Sequence, residues 1–114
     1  MINGIYYAYF YTPDKSDWGA GIAVLRDGYL NGGDHGYTYQ GRFIRNEYDA
    51  SLEATIDRWN PEAESVFGDL KNYEITFTGT FSSTSEKTTM FAALSDDPSN
   101  TITVELTYLK PLNG

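Results

Sequence analysis

His35 is the only histidine in the chain, and it stands beside Asp34. An imidazole next to a carboxylate could act as a general base. One imidazole cannot supply the multi-histidine set usual in catalytic zinc sites, and a carboxylate calcium loop needs none. Gly32-Gly33 and Gly36 flank the pair, so a polar loop residue is the simpler reading. Gly19-Ala20-Gly21 is at most half of a phosphate-loop pattern. A phosphate cradle needs backbone N–H groups at a helix N-terminus with Lys-Ser or Lys-Thr following, and this triplet opens a strand-like run instead. Asp96-Asp97, and Glu47 with Asp49, are acidic pairs on turn-like stretches. They lie outside the twelve-residue calcium-loop pattern, so solvated turn charges explain them. The chain has no cysteine, hence no thiolate nucleophile, Cys-based zinc site or disulfide framework, and no serine sits in a Gly-x-Ser-x-Gly elbow. The expectation is a non-enzyme with no catalytic residues, no metal ligands and no cofactor.

Aromatic residues carry more information. Tyr6, Phe10, Tyr39, Phe43, Tyr73 and Phe77 fall on positions that alternate with outward ones. A core needs such residues in any case. The functional reading is a cavity for a small apolar ligand, lined by these six, with tyrosine hydroxyls fixing its orientation.

The elements that position them are short alternating runs. Thr101 to Lys110 holds Ile102, Val104, Leu106 and Tyr108 on one face, and Thr101, Thr103, Glu105 and Thr107 on the other. Successive strand side chains face opposite sides, so this is a sheet with one dry and one wet face. Further strands are predicted over Gly4 to Tyr11, Gly19 to Arg26, Tyr37 to Arg45, Ala50 to Trp59, Asn72 to Phe81 and Thr88 to Leu94. A short one begins at Tyr29-Leu30. Asp27-Gly28 signals a two-residue hairpin turn needing positive φ, and Asp96 to Asn100 reads as another turn. Pro61 to Leu70 is the one predicted helical segment, with Asn60 as cap and Gly68 as stop. Eight strands joined by tight turns suggest an antiparallel meander closed into a barrel, which removes the sheet edges, and a two-sheet sandwich is the alternative. The predicted interior holds Tyr6, Phe10, Ile22, Val24, Tyr39, Phe43, Leu52, Ile56, Ile75, Phe77, Val104 and Leu106.

Residues 1–114 read as one β-barrel domain. The formal charge of −8 argues against nucleic-acid and anionic-membrane binding and favours a basic protein partner. No apolar run is long enough to span a membrane. Gly4 to Tyr11 is apolar on both faces, with Ile5, Tyr7, Tyr9 and Tyr11 opposite the inward set. A soluble monomer rarely leaves such a patch in water, so a homodimer through these four residues is expected. Cover by the Pro61 to Leu70 segment is the alternative.

Asn3-Gly4-Ile5-Tyr6, Gly19-Ala20-Gly21-Ile22, Gly32-Gly33-Asp34 and Tyr39-Gln40-Gly41 together resemble the GrlR family. The likeness runs to Pro111-Leu112, and its most specific part is Gly-Gly-Asp followed by Tyr-Gln-Gly. The family's named member is a negative regulator of type III secretion gene expression in attaching-and-effacing enterobacteria. The resemblance implies an eight-stranded, lipocalin-like (calycin-type) barrel, cytoplasmic and dimeric, without catalytic activity. It also implies binding to a transcription activator through an exposed Glu-Asp-Glu-Asp run. The matching positions here are Asn46, Glu47, Tyr48 and Asp49, which keep two of the four acids. This turn is the expected partner-binding site, with Tyr48 as an aromatic anchor in place of a lost carboxylate.

Overall fold

The computed structural model describes residues 3–45, 50–68, 70–79 and 87–114. Eight antiparallel strands follow the chain in order: β1 (Gly4–Tyr11), β2 (Trp18–Arg26), β3 (Tyr29–Gly33), β4 (Tyr37–Arg45), β5 (Ala50–Arg58), β6 (Asn72–Gly79), β7 (Lys87–Leu94) and β8 (Asp97–Lys110). Each pairs with its neighbour, and β8 pairs back on β1, so the meander closes into a barrel and the sandwich alternative falls away. Closure places Tyr6 opposite Tyr108, Ala8 opposite Leu106 and Phe10 opposite Val104.

Directly opposed residues share a face, so the register carries the inward set from strand to strand. Phe43, Leu52, Phe77, Ala92 and Ile102 are linked in this way across β4 to β8. In β5 the alternation expected from the sequence holds. Leu52, Ala54 and Ile56 are buried, while Glu53 and Thr55 are exposed. Phe10 and Phe43 are partly buried against the core.

The orientation of β2 reverses the expectation. Ile22 is 42% exposed, Val24 lies outside the core, and Ala23 and Leu25 are buried instead. The cause is the pairing with β1, where Tyr6 faces Ala23, Ala8 faces Gly21 and Phe10 faces Gly19. With Tyr6 and Phe10 inside, the opposing inward positions must be small. A Cβ at Gly19 would lie 2.5 Å from the Phe10 ring, and one at Gly21 would lie 2.7 Å from the Tyr39 hydroxyl. The Gly19-Ala20-Gly21 triplet therefore makes room for aromatic rings and sits inside a strand.

Asp27 and Gly28 form the hairpin turn between β2 and β3, with φ of 52° and 86°. Gly28 takes such values without a Cβ penalty. The turn expected at Asp96 to Asn100 is shorter. Its residues are Ser95 and Asp96, and Asp97 already begins β8, opposite Leu94, next to a register shift at Ala93/Leu94. Other boundaries move by a residue or two. Trp59 lies outside β5, and the described part of β6 ends at Gly79.

The described residues of the Pro61 to Leu70 segment are not helical, and no helix forms among the described residues of the chain. Asn60 does act as a cap, its side-chain oxygen accepting from the Glu62 N–H at 3.1 Å. The chain then turns back on itself. Ser65 and Gly68 exchange two backbone bonds of 3.0 and 2.9 Å, and Ser65 Oγ accepts from the Phe67 N–H at 3.0 Å. Those donors and acceptors are thereby withdrawn from any helical ladder.

Candidate functional site

An internal cavity of about 110 Å³ lies within the barrel. Its walls come from inward residues of several strands, among them Ala8, Phe10, Leu52, Met90 and Val104. Ser65, Val66 and Phe67, from the connection between β5 and β6, close over it beside Tyr73. Asp17, Trp18, His35 and Glu64 form its exposed rim. Pockets for drug-sized ligands run to about 300–1,000 Å³, whereas an apolar cavity of about 150 Å³ accommodates benzene. The space here matches a single ring.

A polar cluster is set into this apolar wall. Asp34 opens the turn between β3 and β4, and its Oδ1 accepts from the Gly36 and Tyr37 N–H groups, each at 2.8 Å. Its Oδ2 accepts a hydrogen bond from the Tyr39 hydroxyl. The residue therefore both fixes the turn and presents a carboxylate to the cavity. The β5–β6 connection is tied to the same turn. Trp59 Nε1 donates to the Asp34 carbonyl at 3.1 Å, Asn60 Nδ2 to the His35 carbonyl at 3.0 Å, and the Tyr37 hydroxyl to the Leu70 carbonyl at 2.7 Å. On the far side, Ser65 Oγ and the Tyr73 hydroxyl are hydrogen-bonded at 2.8 Å.

These phenols are held neutral. Burial, then the bond to the Asp34 carboxylate, raises the Tyr39 pKa far above its usual value. Burial pushes Tyr73 up to about 12, against a smaller lowering from the Ser65 bond. Desolvation always disfavours the phenolate, so Tyr39 remains a donor to Asp34 at any physiological pH.

Of the six residues expected at the cavity, Phe10, Tyr39, Tyr73 and Phe77 line it. Tyr6 is buried edge-on against Tyr108, and Phe43 packs against the core; neither reaches the lining. Asp34, Tyr37 and Ser65, with Asp17 and Glu64 at the rim, are polar lining residues that sequence reasoning missed. The available signal was Asp34 before Gly36, a carboxylate placed to cap the amides two and three residues on. His35 is exposed, and the Asp34 oxygens are bonded to Gly36, Tyr37 and Tyr39 rather than to the imidazole. The expected partner-binding turn, Asn46 to Asp49, lies outside the described residues.

The strand face expected to form a dimer contact points outward. Tyr7 is 40% exposed, and Ile5, Tyr9 and Tyr11 are half-buried. Tyr9 stacks on exposed Trp18 with ring centroids 6.0 Å apart, Tyr9 and Tyr11 lie 5.4 Å apart, and Lys15 sits over the Tyr11 ring at 5.7 Å. The reversed β2 adds Ile22 opposite Tyr7 and Val24 opposite Ile5. The β5–β6 connection binds the β3–β4 turn through the contacts above.

Residues 1–99 match the model of a family described as the type III secretion system (T3SS) negative regulator GrlR. No curated protein matches the chain.

Proposed function

The chain belongs to the GrlR family of type III secretion negative regulators, and on that premise we propose that it is a cytoplasmic, non-enzymatic regulator that works by binding. The match of residues 1–99 to that family carries the reading. The protein contact is made by the acidic turn Asn46-Glu47-Tyr48-Asp49, acting on a basic transcription activator that it holds away from its promoters. The formal charge of −8 supports a basic partner, since complementary potential speeds encounter and rejects acidic competitors.

The regulator acts as a homodimer through the outer face of β1, with Ile5, Tyr7, Tyr9 and Tyr11 at its centre and Trp18 and Ile22 extending it. The exposure of Tyr7 opposite Ile22, and of Trp18 stacked on Tyr9 further along the same face, supports this, because water contact with contiguous apolar area is costly. The barrel cavity holds a small apolar ligand, which gives the regulator a means of responding to cell chemistry.

The test is a reporter for type III secretion gene expression in the host, combined with recovery of bound partners. Added wild-type protein lowers reporter output and retains a basic protein. A folded Glu47→Lys/Asp49→Lys variant does neither. Equal repression by both proteins would remove the turn from the mechanism, and unchanged reporter output with wild type would remove the regulatory role.

A further inference from the structure

We propose that the barrel cavity selects a small ring-sized amine, its ammonium group bound at Asp34 and its apolar body in the barrel. The inference rests on the cavity reading above and adds the chemical class of the ligand.

Three observations carry it. The first is size, since about 110 Å³ suits one aromatic or alicyclic ring and excludes a long acyl chain lying wholly inside. The second is the unfilled acceptor capacity at Asp34. A carboxylate offers about four lone-pair sites, and three are used, two on Oδ1 by backbone N–H groups and one on Oδ2 by Tyr39. The Tyr39 hydroxyl spends its proton on Asp34, so its oxygen is left as an acceptor. An N–H donor seated here meets an anionic oxygen and a phenolic oxygen together. The third is the sign of the surrounding charge. Asp17, Asp34 and Glu64 line the cavity and its rim, and no Lys or Arg is among its described lining residues. A fatty acid or phosphate headgroup would face these carboxylates with no Lys or Arg to compensate, His35 being the one basic side chain at the described rim, and like charges brought together repel.

A matched ligand series on the unaltered protein tests the idea. Benzylamine, benzyl alcohol and benzoate share a ring and differ in the charge of one short substituent. Binding is read from backbone amide shifts of Asp34 to Tyr39 and of Ser65 to Phe67 at neutral pH. The amine binds at least about tenfold more tightly than the alcohol, the scale of one charge-assisted hydrogen bond, and benzoate leaves the spectrum unchanged. In Asp34→Asn, which keeps an acceptor for the Gly36 and Tyr37 amides, amine and alcohol bind alike. Should that variant misfold, Asp17→Asn/Glu64→Gln at the exposed rim gives the second reading, a smaller loss confined to the amine. If the alcohol or benzoate binds the wild type as well as the amine does, the ammonium class is wrong while the cavity stands. If none of the three moves the lining amides, both the ligand class and the ligand-binding cavity fail.

Discussion

Replacing Tyr73 by Phe removes one oxygen and leaves the ring in place, which isolates what the hydroxyl contributes. At pH 7 the variant loses a single hydrogen bond to Ser65 Oγ, 2.8 Å long, worth about 1 kcal/mol net. Ser65 keeps its bond from the Phe67 N–H, so the connection over the cavity stays in place. At high pH the sign reverses. Tyr73 is pushed up to about 12 in the folded protein from 10.0 when free. A raised folded pKa means that its contribution is fully present below pH 10 and is lost as pH rises through 12, because only the unfolded chain releases the proton in between. That loss is about 1.4 kcal/mol by pH 11 and about 2 kcal/mol by pH 12. The phenylalanine variant has no proton to lose at this position. Its stability, lower at neutral pH, should therefore equal wild type between about pH 10 and 11 and exceed it above. Urea unfolding followed by Trp18 and Trp59 fluorescence at several pH values measures this. Tyrosines remote from Tyr73 titrate alike in both proteins and cancel in the difference, whereas Tyr39, whose pKa the Tyr73 charge helps to raise, is followed separately by its ring resonances. A constant gap between the two curves from pH 7 to pH 12 would refute the reasoning, since Tyr73 would then titrate alike in the folded and unfolded states.

Three further outcomes follow from the packing. Leu52 is 1% exposed, and Leu52→Ala should cost about 2–5 kcal/mol in the same unfolding assay; a cost near zero would place it outside the core. Gly21→Ala brings a Cβ within 2.7 Å of the Gly33 carbonyl and the Tyr39 hydroxyl. It should destabilise by about 1–3 kcal/mol and shift the Tyr39 ring resonances, and unchanged spectra would contradict the close approach. Leu25→Lys should prevent folding while Ile22→Lys leaves a folded barrel, as circular dichroism would show, with sedimentation reporting a lower dimer fraction; the reverse order of damage would mean that β2 presents its other face.

The legibility of the sequence varied along the chain for physical reasons. From Ser51 to Asp57 in β5 and from Thr101 to Thr107 in β8 every second residue is polar, so only one face can be dry, and the inward set follows from the residues themselves. Asp27-Gly28 was equally plain, because few residue pairs accept two positive φ values in succession. The run from Gly19 to Leu25 has no polar residue, so its alternation carried no signal, and reading bulk as inwardness chose Ile22 and Val24 wrongly. Pro61 to Leu70 carried a true cap signal at Asn60, but the reversal at Ser65 and Gly68 depends on contacts with Tyr73 and with the β3–β4 turn, which lie elsewhere in the chain.

The candidate site divides in the same way. Phe10 stands on a strand that is apolar on both faces, but Tyr39, Tyr73 and Phe77 could be placed inside from strand periodicity alone. That Asp34 would meet the Tyr39 hydroxyl, and that Ser65, Val66 and Phe67 would lie over the cavity beside Tyr73, could not be read in this way, because strand pairing and barrel closure bring these groups together. Residue by residue, this sequence determines which strands form and, where polar residues alternate, which face is wet. Where both faces are apolar, the closed barrel decides by volume: with Tyr6 and Phe10 pointing inward, the small Ala23 and Gly19 lie opposite them and Gly21 lies between, opposite Ala8, so Ile22 and Val24 turn to the outside.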